Sequence, residues 1–398
     1  MRKLLSIIGK ILGTVLLLFV LLVLVTEFSP IYHFRAPRPF SGPDIFNPYA
    51  SLDSTLGWKR ANFHTHTRVD GPWPVNECPY DAAYTDSVYR SLGYDIVTFS
   101  NHNELTKHPY DPSLQVNVYE QGYSPFKFHK LVFGSPSVRH WDPLLPFLTS
   151  QKQFELDRLG KDADFIQINH PYRTVGFPRE QIEKLSGYQI MELDTHVSTE
   201  NEYWDWALTA GHYSFGLASD DLHHPERHWL TAIRCNFLNT PSGRYEDLKE
   251  TLLGGCYYAM RVPDYGNGDW EVKRQKNREL PFVKAIGLEE NTLYLTLSRR
   301  ADSIRVNGAE HRTLAMALDT CAIRYTLPEN EPYARLTAFF PDGAVIYTNP
   351  FARYDARVQA NPFNNAPQPV NTALTLLFNL LLGLLCACVL RLLVKLWR

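Results

Sequence analysis

The two ends of the chain are apolar runs long enough to cross a lipid bilayer, and they restrict the fold more than any other feature. Residues 11–25 form an almost unbroken apolar run that residues 4–10 extend, and residues 373–390 form a second one. A helix of roughly 20 apolar residues spans the hydrocarbon core of a bilayer. The alternatives are a cleaved signal peptide, for which Val25-Thr26-Glu27-Phe28 offers no small-x-small cleavage site, and a buried core helix at the second run. We therefore predict a transmembrane helix at each end.

Basic residues flank both runs on their outer sides, and this predicts an orientation. They are Arg2, Lys3 and Lys10 at one end and Arg391, Lys395 and Arg398 at the other. Basic flanks remain in the cytoplasm under the positive-inside rule. We expect a two-pass membrane protein with both termini cytoplasmic and residues from about 27 to 371 on the other side.

The region between the runs changes its pattern once. Short apolar runs alternate with helical patterns up to about residue 280, which indicates parallel β/α units. Beyond it, short strands separated by Asn-Gly and Pro-Asp-Gly turns indicate a small antiparallel β-domain. The predicted organisation is an anchor with its flank (1–35), a linker (36–57), a β/α domain (58–280), the β-domain (281–355), a second linker (356–371) and a C-terminal span with a basic tail (372–398).

Histidines and acids fall repeatedly at the ends of the predicted strands of the β/α domain. They are His64, His66, His102, Glu120, His129, His170, Asp221 and His223. In a β/α barrel the carboxyl ends of the strands meet on one face, where active sites are built. A single histidine at a strand end is more often structural, but imidazole and carboxylate together are the ligands of Zn, Mn and Fe. The set as a whole predicts a metal site.

These residues lie in motifs that, in this order, resemble those of the polymerase-and-histidinol-phosphatase (PHP) family over residues 58–260. The motifs are Phe63-His64-Thr65-His66-Thr67, Ser100-Asn101-His102-Asn103, Glu120, His129-Lys130-Leu131-Val132-Phe133-Gly134, Asn169-His170-Pro171-Tyr172-Arg173 and Ser219-Asp220-Asp221-Leu222-His223. The resemblance implies a distorted seven-stranded β/α barrel with up to three metal ions.

The resemblance also implies a ligand set for each metal. A first metal would be held by His64, His66, Glu120 and Asp221, a second by Glu120 as a bridge with His129 and His170, and a third by His102 and His223 with Asp70. Asn62 and Asn101 stand where the family usually has Asp, and Asp70 lies one residue closer to His66 than is usual. An amide in place of a supporting carboxylate is expected to weaken metal affinity.

The function expected from such a site is metal-dependent hydrolysis, most of all of a phosphoester. Two or three divalent ions (Zn, Mn or Fe) would activate a bridging water for attack. Glu120, Asp221 and Arg173 are the expected catalytic residues, and Arg68 and Arg173 follow ligand motifs and are candidates to grip a phosphate. Surface salt bridges are the alternative role of these two arginines.

Three other functions stay open at this point: a carbamate, ester or amide hydrolase with the same site, a nuclease, and a metal-stabilised binding module without catalysis. The expected partners are a phosphorylated small molecule or a lipid-linked substrate, and the bilayer itself. The formal net charge of −2 shows no basic excess, and we therefore expect no nucleic acid as a partner.

Overall fold

The computed structural model describes residues 2–70, 77–194, 202–263, 269–364 and 366–398. The α-helices in these ranges are α1 (Arg2–Thr26), α2 (Ala82–Ser91), α3 (Thr149–Leu159), α4 (Arg179–Ile182), α5 (Glu202–Thr209), α6 (Tyr245–Gly254), α7 (Trp270–Arg278) and α8 (Thr372–Trp397). The first ten strands are β1 (Asp44–Phe46), β2 (Lys59–Asn62), β3 (Ile96–Val97), β4 (Val118–Gln121), β5 (Lys130–Phe133), β6 (Phe165–Ile168), β7 (Ile190–Asp194), β8 (Phe215–Ala218), β9 (Arg234–Leu238) and β10 (Tyr257–Arg261). The remaining strands are β11 (Val283–Glu289), β12 (Thr292–Asn307), β13 (Thr313–Thr326), β14 (Tyr333–Phe339), β15 (Val345–Thr348) and β16 (Phe351–Tyr354).

The strands form two open sheets. The smaller sheet has five strands in the order β4-β5-β6-β7-β8. Its first two pairs are antiparallel and its last two are parallel, so the expectation of uniformly parallel β/α units is only partly met. The larger sheet has the order β1-β16-β14-β15-β10-β9-β2-β3, and the hairpins of β11, β12 and β13 join it at β14.

The chain is mixed α/β as predicted, but a closed seven-stranded barrel is not confirmed. The outer strands of the smaller sheet have no regular ladder with the larger one in the described residues. They meet it through isolated parallel bridges, Thr65 with Leu222 and His102 with Glu120, and through side-chain hydrogen bonds between Asn236 and the Ala218 backbone. β2 pairs with β9 on one side and with β3 on the other, whereas β3 is two residues long and, among the strands that the structure describes, pairs with β2 alone.

The C-terminal strands share a sheet with strands of the β/α region. β10 pairs antiparallel with β9 on one side and with β15 on the other. The boundary predicted at residue 281 therefore lies between strands of a single hydrogen-bonded sheet.

Local sequence explains several helix ends. The Asp81 and Asn371 side chains accept hydrogen bonds from the backbone at the first turns of α2 and α8, as N-cap residues do. α6 ends at Gly254 and is followed by Gly255, whose φ of +83° suits glycine. A Cβ there would lie 2.2 Å from the Phe215 ring, so the glycine also permits close packing of α6 on β8.

The apolar helices α1 and α8 pack against each other. Trp397 Nε1, at the end of α8, donates to Thr14 Oγ1 in the middle of α1 over 2.8 Å, and Asn379 Nδ2 donates to the Ser29 carbonyl, just after α1, over 3.2 Å. Both helices are long and apolar enough to cross a membrane by length and composition, which is weak support for the predicted spans. Their orientation stays a prediction.

Candidate metal centre

The directions of the strands bring the predicted ligands close together. His64 and His66 follow β2, and Glu120 lies near the end of β4. β5 runs antiparallel to β4 and to β6, so His129, just before β5, and His170, just after β6, come to the same edge as Glu120. Asp221, which follows β8, lies there too, within reach of His64 and His66.

Four buried donor atoms of this edge form a compact cage. Glu120 Oε2 lies 3.3 Å from His64 Nε2 and 3.2 Å from His66 Nε2. Asp221 Oδ1 lies 3.2 and 3.3 Å from the same two nitrogens, which are 3.3 Å apart. These five separations are 3.2–3.3 Å, and all four donor atoms lie within 4.8 Å of one another. Imidazole and carboxylate donors at this spacing fit a divalent metal ion.

The second oxygen of Glu120 faces another pair of histidines. Oε1 lies 3.2 Å from His129 Nδ1 and 3.2 Å from His170 Nε2, and it accepts a hydrogen bond from Asn169 Nδ2 over 2.9 Å. Glu120, which is 1% exposed, therefore presents one oxygen to each of two neighbouring donor groups. This is the placement that a bridging carboxylate requires.

A third group contains an acid that the sequence analysis missed. Glu77 Oε2 lies 3.2 Å from His102 Nε2 and 2.8 Å from His223 Nε2. Glu77, His66 and His102 are close enough to hold one ion. Asp70, predicted for this position, is exposed and lies in none of the three close donor groups. Glu77 is the acid whose carboxylate lies beside His102 and His223.

The two predicted arginines differ in position. Arg173 Nη1 contacts Asp221 Oδ2 in a very short ion pair, and its side chain is 22% exposed. Arg68 is 52% exposed and pairs with Asp81 over 3.9 Å. The structure thus brings Arg173 to the site and leaves Arg68 at the surface, with the surface salt bridge that was its alternative role.

Glu192, on β7, supports two of the histidines and was also missed. Its Oε1 lies 2.8 Å from His64 Nδ1, and its Oε2 accepts the His170 backbone N–H over 2.6 Å. A carboxylate on the far nitrogen of a ligand histidine fixes the tautomer that leaves the near nitrogen free for metal.

Asn62 and Asn101, which stand where the family usually has Asp, form hydrogen bonds with neighbouring segments. Asn62 Nδ2 donates to Tyr89 Oη over 2.6 Å, and Tyr89 donates to Asp220 over 2.7 Å. Asn101 accepts the Thr67 N–H over 2.7 Å. Asp220 also accepts backbone N–H groups of residues 232–234, whereas the neighbouring Asp221 faces His64 and His66.

Residues at this edge have unusual backbone angles and shifted pKa values. His170 and Asp221 have φ of 25° and 49°, in the left-handed region that non-glycine residues rarely adopt. Burial favours a neutral Glu120, but His102, His64 and His129 outweigh it and hold its pKa well below the usual value. Burial lowers the pKa of His129 to about 4 against the pull of Glu120, so its imidazole is neutral near pH 7 and free to act as a ligand.

A cavity of about 450 Å³ lies beside the cluster. Its walls include Glu77, Arg173, Asp220, Asp221, Leu222, His223, His224 and Leu230. Donor groups and an arginine therefore face a space large enough for a small substrate or part of a larger one.

No family model and no curated protein matches the chain. Two solved structures match the chain at low identity. One is a two-domain protein containing a predicted PHP-like metal-dependent phosphoesterase from Bacteroides vulgatus, with 16% identity, coverage of 80% of this chain and 100% of that one, and a TM-score of 0.38. The other is a lesion-specific endonuclease from Pyrococcus furiosus, with 11% identity, coverage of 50% and 56%, and a TM-score of 0.33.

The chain resembles PHP-like metal-dependent proteins, as its motifs predict, and its buried cluster of histidines and carboxylates supports a metal-dependent hydrolase. The expectation that excluded nucleic acid is wrong in the light of the endonuclease. A net charge of −2 averages over the whole chain and says nothing of the local charge beside the cluster.

Proposed function

We propose that this chain is a metal-dependent phosphoesterase. The observation that carries the proposal is the cage of His64, His66, Glu120 and Asp221, in which Glu120 also faces a second pair of histidines. Divalent ions bound there would activate water and neutralise charge on a phosphoryl group. Phosphoester hydrolysis uses both effects, because its transition state carries charge on several oxygens.

The proposed ligands follow the three donor groups. We assign the cage to the first ion, and Glu120 with His129 and His170 to the second. The third ion would be held by His102, His223 and Glu77. Imidazole and carboxylate donors suit Zn, Mn or Fe, and we propose two to three such ions.

The protein's own side chains would position the substrate. Arg173 borders the cavity next to Asp221, and its planar guanidinium can donate two parallel hydrogen bonds to phosphoryl oxygens. In hydrolysis a water oxygen bonds to phosphorus, the ester P–O bond breaks, and the departing oxygen takes a proton. Arg173 would hold the phosphoryl group through these changes without exchanging a proton itself, because guanidinium stays charged.

We further propose that residues 58–280 form the catalytic domain as a distorted barrel and that both terminal helices cross a membrane. The isolated bridges of Thr65 with Leu222 and His102 with Glu120 support the first point, since they link β2, β3 and the five strands of the smaller sheet into a ring. The basic outer flanks support cytoplasmic termini.

The test uses the full-length protein in detergent, stripped by chelator and reloaded with Mn²⁺ or Zn²⁺. We expect metal-dependent release of p-nitrophenol from p-nitrophenyl phosphate and much slower turnover of p-nitrophenyl acetate. Bis(p-nitrophenyl) phosphate and a DNA oligonucleotide test for phosphodiester substrates. Faster turnover of the carboxylic ester would assign the site to another hydrolase class. No turnover of any substrate by a metal-loaded protein would indicate a binding module.

A further inference from the structure

An apolar pocket of about 420 Å³ separates the last turns of α1 from the catalytic domain. Its walls include Phe19, Val20 and Val23 of α1 and Pro125, Phe126 and Leu145 of the domain. α1 is fixed to this part of the domain by polar contacts as well. The N–H of Leu145 donates to Glu27 Oε1 over 2.9 Å, and that of Leu144 donates to Thr26 Oγ1 over 3.3 Å. The pocket therefore has two walls that are tied together at its end.

The domain wall of this pocket belongs to the loop that connects two proposed metal ligands. This loop runs from Glu120 to His129, and Phe126 lies three residues before His129. Three residues span at most about 10 Å of chain. The same loop is bonded to the segment after Arg173, because Val175 N–H donates to the Phe126 carbonyl over 2.8 Å. The pocket and the metal cluster are thus neighbouring parts of one hydrogen-bonded unit.

The surface around the pocket is apolar and exposed. The exposed residues next to it are Leu145, Phe147, Leu148 and Val175, and Phe126 packs edge-on against the Phe147 ring at 4.5 Å between centroids. Exposed apolar residues grouped beside a hydrophobic helix are typical of a surface that rests on a bilayer. A pocket with apolar walls gives water no polar partners, whereas a hydrocarbon chain matches it.

We propose that this pocket binds the hydrocarbon chain of the substrate, and that the substrate is a phosphorylated amphiphile. The inference rests on the proposed phosphoesterase function. The chain would lie between α1 and Phe126, and its phosphate would reach the cluster past His129. The lipid-facing helix would therefore be part of the substrate site as well as an anchor.

The first experiment measures occupancy and needs no turnover. Full-length protein in phosphatidylcholine nanodiscs with Mn²⁺ is illuminated with dodecyl phosphate that carries a diazirine at the chain end, and adducts are mapped by mass spectrometry. We expect adducts at residues 125–126 and 144–145 that unlabelled dodecyl phosphate suppresses and dodecanol does not. Adducts spread along the exposed faces of α1 and α8, or equal suppression by dodecanol, would show ordinary lipid contact and overturn the proposal.

A matched pair of variants tests the pocket itself. Val23→Trp fills the pocket, whereas Val25→Trp adds the same bulk on the exposed face of the same helix turn. We expect Val23→Trp to lower adduct yield at least tenfold and Val25→Trp to leave it unchanged. Equal adduct yields in the two variants would refute the proposal that the hydrocarbon chain binds in this pocket.

The second experiment measures the ratio of kcat/KM for dodecyl phosphate to that for ethyl phosphate. We expect a ratio at least tenfold above unity in the parent protein and in Val25→Trp, and a tenfold smaller ratio in Val23→Trp. A ratio that is the same in both variants would contradict the proposal. If the parent protein hydrolyses neither phosphate, the phosphoesterase function fails, while the adduct pattern still decides whether the pocket takes the chain.

Discussion

Replacing Glu120 by glutamine is the sharpest test of the shared carboxylate, because the two side chains have nearly the same shape. Glu120 is buried, and both of its oxygens face histidine nitrogens at 3.1–3.3 Å. If the glutamine carbonyl keeps the hydrogen bond from Asn169, its NH₂ group replaces the oxygen that faces His64 and His66. An NH₂ group cannot donate an electron pair to a metal, so two donor groups lose their common ligand.

The size of the effect follows from the number of contacts that are lost. Removing a group that only orients a metal ligand costs ~10- to 100-fold in metal affinity or activity. Removing a ligand that is common to two donor groups should reduce activity further. We therefore expect turnover of p-nitrophenyl phosphate to fall by more than about 100-fold. If Glu120 were an ordinary surface acid, the change would be within about ±0.5 kcal/mol in stability and turnover would persist.

The assay compares the full-length parent, Glu120→Gln and Glu104→Gln, each measured for bound metal, turnover and thermal unfolding. Glu104 follows the motif of His102 but belongs to none of the close donor groups, and it provides the matched Glu-to-Gln control. We expect the control to keep its metal and activity. Near-normal metal content and turnover in a folded Glu120→Gln protein would refute the bridging assignment.

Three further predictions concern the third donor group, the β-domain and the topology. Glu77→Gln should lower the metal content by about one ion per chain, whereas Asp70→Asn should leave it unchanged; the reverse result in elemental analysis would restore Asp70 as the ligand. His311→Ala should leave metal content and turnover unchanged, because His311 pairs with Asp205 of α5, which is not a proposed ligand; loss of metal would place part of the site in the β-domain. Protease added to the non-cytoplasmic side of sealed vesicles should digest the central domain, and digestion from the cytoplasmic side alone would contradict the predicted topology.

The convergence of most donors was predictable because it depends on local patterns. Apolar runs identify strands, and a polar residue at the end of a run lies at a sheet edge whatever the rest of the fold is. The antiparallel pairing of β4 and β5 also had a signal: the connection from Gln121 to Lys130 is shorter than the dozen or so residues that a parallel crossover needs. Because this connection is short, it also brings His129 to the edge of the sheet where Glu120 lies.

The positions that the sequence analysis missed depend on distant parts of the chain. Glu77 lies in an irregular loop, and no periodicity shows which way such a loop turns. The sheet that joins β10 to β15 pairs segments nearly 90 residues apart, and local turn signals cannot reveal such a pairing. The apolar pocket at α1 likewise depends on how a terminal helix rests on a loop more than 100 residues away.

Glu192 had a signal, and it provides the last prediction. It is a carboxylate within the apolar run Ile190-Met191-Glu192-Leu193, and a buried acid needs partners to offset the loss of water. Its partners are His64 Nδ1 and the His170 backbone N–H, and both donate to it. Glutamine has one acceptor oxygen for these two donors, so its NH₂ group must face one of them.

If the NH₂ group of Glu192→Gln faces His64, Nδ1 must accept a hydrogen bond, and the ring proton moves to the nitrogen that faces the cage. If it faces His170, the strained backbone there loses its acceptor. Either result should weaken metal binding ~10- to 100-fold without removing a proposed ligand. The measurement is competition for Zn²⁺ with a chelator of known affinity, with Glu104→Gln as the control. A Glu192→Gln protein that binds zinc as tightly as the control would show that His64 is held in place by its packing alone.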